Sequence, residues 1–211
     1  LTVEIVVGTT SIFRVHEDVL RQSPYFVNAL KPEWRAAREG KPIGLEDEDP
    51  DIFAGYVQWL YTHQVDTKFN TVKRAEMYVL GEVLMDNAFQ NAVLGTMIRR
   101  VEAKHHYPIG EEIDIIYNGT NEGSPARRLL VDYYVWGAGS SWVKGYDMAN
   151  TRPTDFINNL LLALVTRRPA LCLNGKGEKT WISDVSKYFI KPATPEAAKQ
   201  EKTKTDTTKS T

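Results

Sequence analysis

The sequence predicts an α+β fold: a cluster of helices flanked by a short-stranded sheet, continued by an α-helical extension. Three observations predict it. Apolar residues alternate near the N-terminus around a Gly-Thr-Thr turn, as in a half-buried hairpin. Apolar residues then recur three or four positions apart through most of the chain, the spacing of one helix face. Several of these stripes open at a Ser-Pro, Asp-Pro or Asp step that suits a helix start.

The elements follow in order. Val3, Ile5 and Val7 alternate with their neighbours, Gly8-Thr9-Thr10 supplies the turn, and Ile12, Phe13 and Val15 continue on the return strand. The pattern becomes helical at His16 to Leu20. Ser23 and Pro24 suit the N-cap and first position of a second helix carrying Phe26, Val27 and Leu30. The segment from Pro32 to Lys41 reads as polar and irregular, and Pro42 to Leu45 as a short strand. Asp49 caps and Pro50 starts a helix whose stripe is Ile52, Phe53, Tyr56, Val57 and Leu60. Met77, Leu80 and Leu84 mark the next helix. Asp86 caps another, with Phe89, Val93, Met97 and Val101 on one face.

Beyond residue 105 the pattern is mainly helical. Ile113, Ile116 and Tyr117 precede a stop at Asn118-Gly119. Ser124-Pro125 opens a helix with Leu129, Leu130, Tyr133 and Tyr134. Thr154-Asp155 opens one with Ile157, Leu160, Leu161, Leu164 and Val165. Trp136, Trp142 and Tyr146 punctuate the Gly/Ser-rich connection between them. Residues 193–211 are rich in Lys and Thr and lack aromatic and large aliphatic residues, so disorder is expected there. The division read from the sequence is 1–105, a helical extension 106–192, and a tail 193–211.

Composition excludes several functions. The 211 residues hold 26 Lys+Arg and 27 Asp+Glu, a net charge of −1, which argues against a mainly electrostatic nucleic-acid binder. A single cysteine, Cys172, excludes an intrachain disulfide and any Cys-rich zinc site. It lies between two leucines and reads as buried and inert. No apolar run approaches the roughly 20 residues of a membrane span, and no secretory signal opens the chain. An intracellular location, cytoplasmic or nuclear, is the resulting expectation. The chain begins with Leu rather than Met, which leaves room for residues upstream.

Chemistry-bearing constellations are sparse. His105 and His106 are adjacent and point to different helix faces, a poor chelating pair, so neither a metal nor another cofactor is expected. His63 stands near a helix end. His16 sits where strand meets helix and reads as a structural hydrogen bonder. The segment 175–180 fails the phosphate-loop spacing because Glu178 precedes Lys179. The pairs Arg99-Arg100, Arg127-Arg128 and Arg167-Arg168 read as solvated helix faces or helix ends. No nucleophile–base motif supports an enzyme.

Several segments, in order, carry a resemblance. Val3 to Gly8 resembles the first strand and turn of the BTB (POZ) family. Phe13-Arg14-Val15-His16-Glu17-Asp18-Val19-Leu20 resembles its Phe-x-x-His-x-x-Val-Leu signature, and Ser23-Pro24-Tyr25-Phe26 its Ser-x-x-Phe helix start. Ile43 to Leu45, Asp49 to Phe53, the run from Tyr56 through Leu60 to Tyr61, and the Tyr78-x-Leu80-Gly81-x-x-Leu84 helix complete the match, with Gly81 in place of the usual Ala. The segment from Ser124 to Asp132 resembles the helical continuation of fungal BTB-containing proteins.

The resemblance implies a helical cluster flanked by short strands, with Phe13, Leu20, Phe26, Phe53, Leu60 and Leu80 in the core and Val19 and Tyr61 at least partly buried. It implies protein partners and no catalytic residues: self-association as a homodimer, or docking to other proteins. In many members one docking partner is a cullin scaffold, which makes the domain an adaptor for a ubiquitin ligase. Cullin-binding members carry a hydrophobic-x-acid triplet after the Ser-x-x-Phe helix, whereas Trp34-Arg35-Ala36 has Ala where the acid belongs. The alternative is a BTB scaffold or transcription-associated protein that binds no cullin. Trp34 is the leading interaction candidate, either plugging a gap or awaiting a partner, with Tyr25 and His63 behind it.

Overall fold

The hairpin predicted at the N-terminus forms from strands β1 (Thr2–Val7) and β2 (Ser11–His16), with Ile5 opposite Phe13. The computed structural model in which this is seen describes residues 1–144 and 148–167. Tyr146, Arg168, Cys172, the 175–180 loop and the 193–211 tail lie outside the described residues. Gly8 makes the turn at φ +59°, and its N–H donates to the Leu45 carbonyl at 3.0 Å. That bond aligns β3 (Ile43–Leu45) parallel to β1, giving a three-stranded sheet of order β2-β1-β3. The fold is mixed α+β.

The helices are α1 (Glu17–Leu20), α2 (Pro24–Ala29), α3 (Pro32–Ala37), α4 (Pro50–Thr62), α5 (Thr71–Val83), α6 (Asn87–Lys104), α7 (Glu111–Gly119), α8 (Pro125–Gly137), α9 (Met148–Thr151) and α10 (Thr154–Arg167). Asp49 caps α4, its carboxylate accepting from the N–H groups of Asp51 and Ile52. Asn70 caps α5 and Asp86 caps α6 in the same way. Leu1–Thr166 forms one compact unit, so the helices beyond residue 105 share a core with those before it.

Two aromatic clusters fill that core. Phe53 receives Phe13 edge-on at 5.0 Å and Phe26 at 6.2 Å, and Tyr56, Trp59 and Phe89 continue the stack. Further along the chain, Tyr107, Trp142, Tyr134, Phe156 and Tyr117 form a chain of edge contacts at 4.9–5.4 Å. These tilted geometries suit the ring quadrupole and add to the burial of large apolar faces.

Two glycines permit close helix contacts. A Cβ at Gly119 would sit 2.5 Å from Val79 Cγ1, so α7 lies tight against α5 because residue 119 has no side chain. A Cβ at Gly81 would sit 2.6 Å from Gln90 Cγ, which explains why Gly stands where Ala was expected.

Several expectations need correction. Residues 32–37 are helical, not irregular. Pro32 stands at the first helical position with Glu33 in the first turn, but the six-residue helix buries none of its own side chains, so no apolar stripe marks it. The Ser23 hydroxyl makes no cap bond; it is buried near the Tyr56 phenol, without a hydrogen-bond partner among the described residues. Phe13 is half-buried, at the sheet end of the aromatic stack. Tyr61 is 48% exposed, because its hydroxyl serves a hydrogen bond at the surface. Leu20, Phe26, Phe53, Leu60 and Leu80 are buried and Val19 is half-buried.

Arg127 does not lie on a solvated face. Its guanidinium donates to the carbonyls of Tyr117 and Thr120 and to the Thr120 hydroxyl, and it sits 4.7 Å from the Tyr117 ring centroid. It thereby closes the C-terminus of α7, where a cation is favoured. On α10, Phe156 is buried but Leu161, Leu164 and Val165 are exposed. Residues 160–165 are apolar without interruption, so they surround the helix and one face cannot bury them all.

The packing at Gly119 generates a prediction. Gly119→Ala forces its methyl into Val79 and should cost about 1–3 kcal/mol in urea denaturation. Adding Val79→Ala should recover part of that loss, and strictly additive costs would contradict the close approach.

Candidate protein-docking groove

The turn between α5 and α6 is built from four backbone and side-chain bonds. Met85 N–H donates to the Glu82 carbonyl at 3.1 Å and Asp86 N–H donates to the Gly81 carbonyl at 2.9 Å. This is the pattern of a Schellman helix end, whose residue after the cap is left-handed and usually glycine. Here that residue is Met85, at φ +53°. Asp86 then starts α6: Oδ1 accepts from Phe89 N–H at 3.0 Å, and Oδ2 accepts from the Tyr56 hydroxyl at 2.7 Å. Burial raises the Tyr56 phenol well above its ordinary pKa, and the Asp86 charge adds to the shift, so Tyr56 remains a donor.

Met85 therefore projects from a rigid turn and is 56% exposed. It borders an open groove of about 510 Å³, lined also by Tyr25, Ala29, Trp34, Arg38 and Ile43, with mainly apolar walls. Trp34 stands on α3 and is 60% exposed. Arg38 Nη1 donates to the Ala29 carbonyl at 2.6 Å and so ties the end of α3 to α2. Arg35 Nη2 lies 3.2 Å from Glu17, joining α3 to α1. The Arg21 bond lowers the pKa of the Glu17 carboxyl, burial opposes it, and Arg35 adds to the lowering. Burial raises the pKa of the Tyr25 phenol, Arg38 works against the shift and Glu48 with it, so Tyr25 meets the groove uncharged.

The structure thus brings two of the three sequence candidates, Tyr25 and Trp34, to one groove. His63 is not among its lining residues. It ends α4 in the left-handed conformation, its N–H donating to the Trp59 carbonyl at 2.7 Å and its ring edge-on to Trp59. His16 Nδ1 lies 2.6 Å from the Tyr61 hydroxyl, and that oxygen also accepts from His16 N–H at 3.3 Å, linking the end of β2 to α4. The sequence reading missed Met85, because a turn residue belongs to no periodic stripe. Its signal would have been a large apolar residue between the end of one stripe at Leu84 and the cap at Asp86.

A second pocket, of about 540 Å³, is also lined by Met85. Five of its polar side chains are committed to one another. Gln90 and Asn121 both donate to Glu82, and Tyr78 and Ser124 share a bond at 3.2 Å. Among the described residues no group of three or more His, Cys, Asp or Glu is placed to hold a metal ion, and no helix is long and apolar enough to cross a membrane.

No protein-family model matches the chain, and no curated protein matches it.

The strained turn yields two expectations. Tyr56→Phe leaves a carboxylate oxygen buried without its donor and should cost about 1–3 kcal/mol in urea denaturation; no change would show that Asp86 does not depend on this bond. Met85→Gly should leave stability unchanged or raise it by about 1 kcal/mol, because glycine takes the left-handed conformation without the Cβ penalty. A clear loss would show that the Met85 side chain is needed by the fold.

Proposed function

We propose that the protein is a non-catalytic protein–protein interaction module of BTB type, docking a partner in the groove between α2, α3, β3 and the α5–α6 turn. The observation that carries this reading is the pairing of exposed Trp34 with Met85. Both are large, apolar and open to solvent, and Met85 stands at a backbone position where glycine would be more stable. A residue kept in a disfavoured conformation, with its side chain outside the core, points to a role in binding rather than in folding. The ordered sequence signature from Phe13 to Leu84, and a fold in which short strands flank a helical cluster, support the family reading.

The groove favours a partner segment that offers an apolar side chain to Trp34 and Met85 and an acid to Arg38. Tryptophan and arginine are common binding hot spots. Partner candidates are a second copy of the chain and a cullin-type scaffold. Ala36 stands where cullin-binding relatives carry an acid, which favours the first.

Size-exclusion chromatography with light scattering tests this, on the full chain at rising concentration and mixed with a cullin N-terminal domain. The expected result is a larger species under at least one condition, lost in Trp34→Ala at unchanged thermal stability. A monomer under every condition, or a complex indifferent to Trp34→Ala, would contradict the proposal.

A further inference from the structure

A third pocket, of about 380 Å³, gathers four cations: Arg74 from α5, and Arg99, Arg100 and Lys104 from the last turns of α6. Among the described residues none of the four makes an ion pair. Arg74 is 2% exposed. Its Nη2 donates to the Thr67 carbonyl at 2.8 Å, which fixes the guanidinium, while its Nε and Nη1 have no partner among the described residues. Arg100 Nε is likewise buried and unpaired. The Thr96 hydroxyl, also in the lining, donates to the Val93 carbonyl and does not relieve them.

This arrangement is costly without a ligand. Unpaired buried donors forfeit their hydration, and like charges one helical turn apart, as at Arg100 and Lys104, repel. Burial lowers the pKa of the Arg74 guanidinium, the Arg100 charge adds to that, and Asp66 offsets it in part. An anion entering the pocket would relieve both costs together. The cationic ends of the last α6 turns also suit the negative end of that helix dipole, which helps to hold them in place.

We propose that this pocket is a binding site for a small, multiply charged phosphate-type anion, with Arg74 as the fixed cation beneath and Arg99, Arg100 and Lys104 as the direct contacts. Guanidinium forks match phosphoryl oxygens in pairs, and four cations exceed what one carboxylate would neutralise. The site is a confined pocket on a chain of net charge −1 rather than a basic stripe, so it fits a compact anion better than a nucleic-acid backbone. It does not depend on the docking groove.

Calorimetric titration of the full chain with inorganic tripolyphosphate tests the site. Saturable binding is expected, weakening with added salt and falling at least about tenfold in the double variant Arg99→Gln/Lys104→Gln, at two exposed positions. Arg74→Met should weaken it too. Because that change also removes a packed side chain, the two surface substitutions carry the test independently of folding. Absence of saturable binding by the wild type, or undiminished binding by the double variant, would overturn the proposal. Pelleting with phosphatidylcholine vesicles that contain phosphatidylinositol bisphosphate separates the sources. Pelleting reversed by tripolyphosphate assigns a lipid headgroup. Tripolyphosphate binding without pelleting assigns a free anion. Pelleting that ignores both tripolyphosphate and the double variant would count against the pocket.

Discussion

The architecture turns on the carboxylate of Asp86. It is 2% exposed, and each of its oxygens has a partner: the Phe89 N–H that begins α6 and the hydroxyl of Tyr56 on α4. Its own N–H closes the end of α5 on the Gly81 carbonyl. One residue therefore ends one helix, starts the next and ties both to a third. A buried carboxylate is tolerated when hydrogen bonds meet its lone pairs, and then it specifies one arrangement strongly. The adjacent backbone has little freedom left, and Met85 is held left-handed as a consequence. The exposed thioether at the groove is thus set by a buried polar bond at the neighbouring residue.

Helix existence was legible in the sequence where three signals agreed: a cap, a first-turn proline or acid, and an apolar stripe. Asp49-Pro50 with Ile52, Phe53, Tyr56 and Leu60 has all three, and α4 forms there with Asp49 as its cap. At Ser23-Pro24 the start was correct and the chemistry was not, because a serine that can be buried beside Tyr56 need not cap. α3 was missed for the opposite reason. It has a start signal but no buried face, and periodicity reads burial rather than helicity. Arg127 read as a surface charge, and Arg74 carried no signal in the sequence. Their burial depends on carbonyls at helix ends and in a loop, at Tyr117, Thr120 and Thr67, which meet these side chains only once the chain has folded.

The candidate site was legible in part. Trp34 stood out as an indole with no stripe to join, and Tyr25, a weaker candidate, as an aromatic at a helix end. That the two share a groove depends on how α2 and α3 fold back on β3, which spacing alone does not encode. Met85 escaped because its role depends on backbone conformation rather than residue type. The two surfaces proposed here differ in kind. The groove offers apolar area from a turn and a short helix held by polar ties, whereas the basic pocket offers charge from two long helices around a buried guanidinium. The first suits a partner chain and the second a small anion.

The most direct measurement is methyl NMR of the full chain labelled at its four methionines, recorded with a soluble paramagnetic agent. In the dilute chain the Met85 signal should broaden strongly while buried Met77 and Met97 remain sharp. In the species formed at high concentration or with a cullin N-terminal domain, Met85 should become protected. A Met85 methyl shielded in the dilute chain, or one that stays fully accessible in every complex formed, would contradict the claim that this turn presents a docking surface.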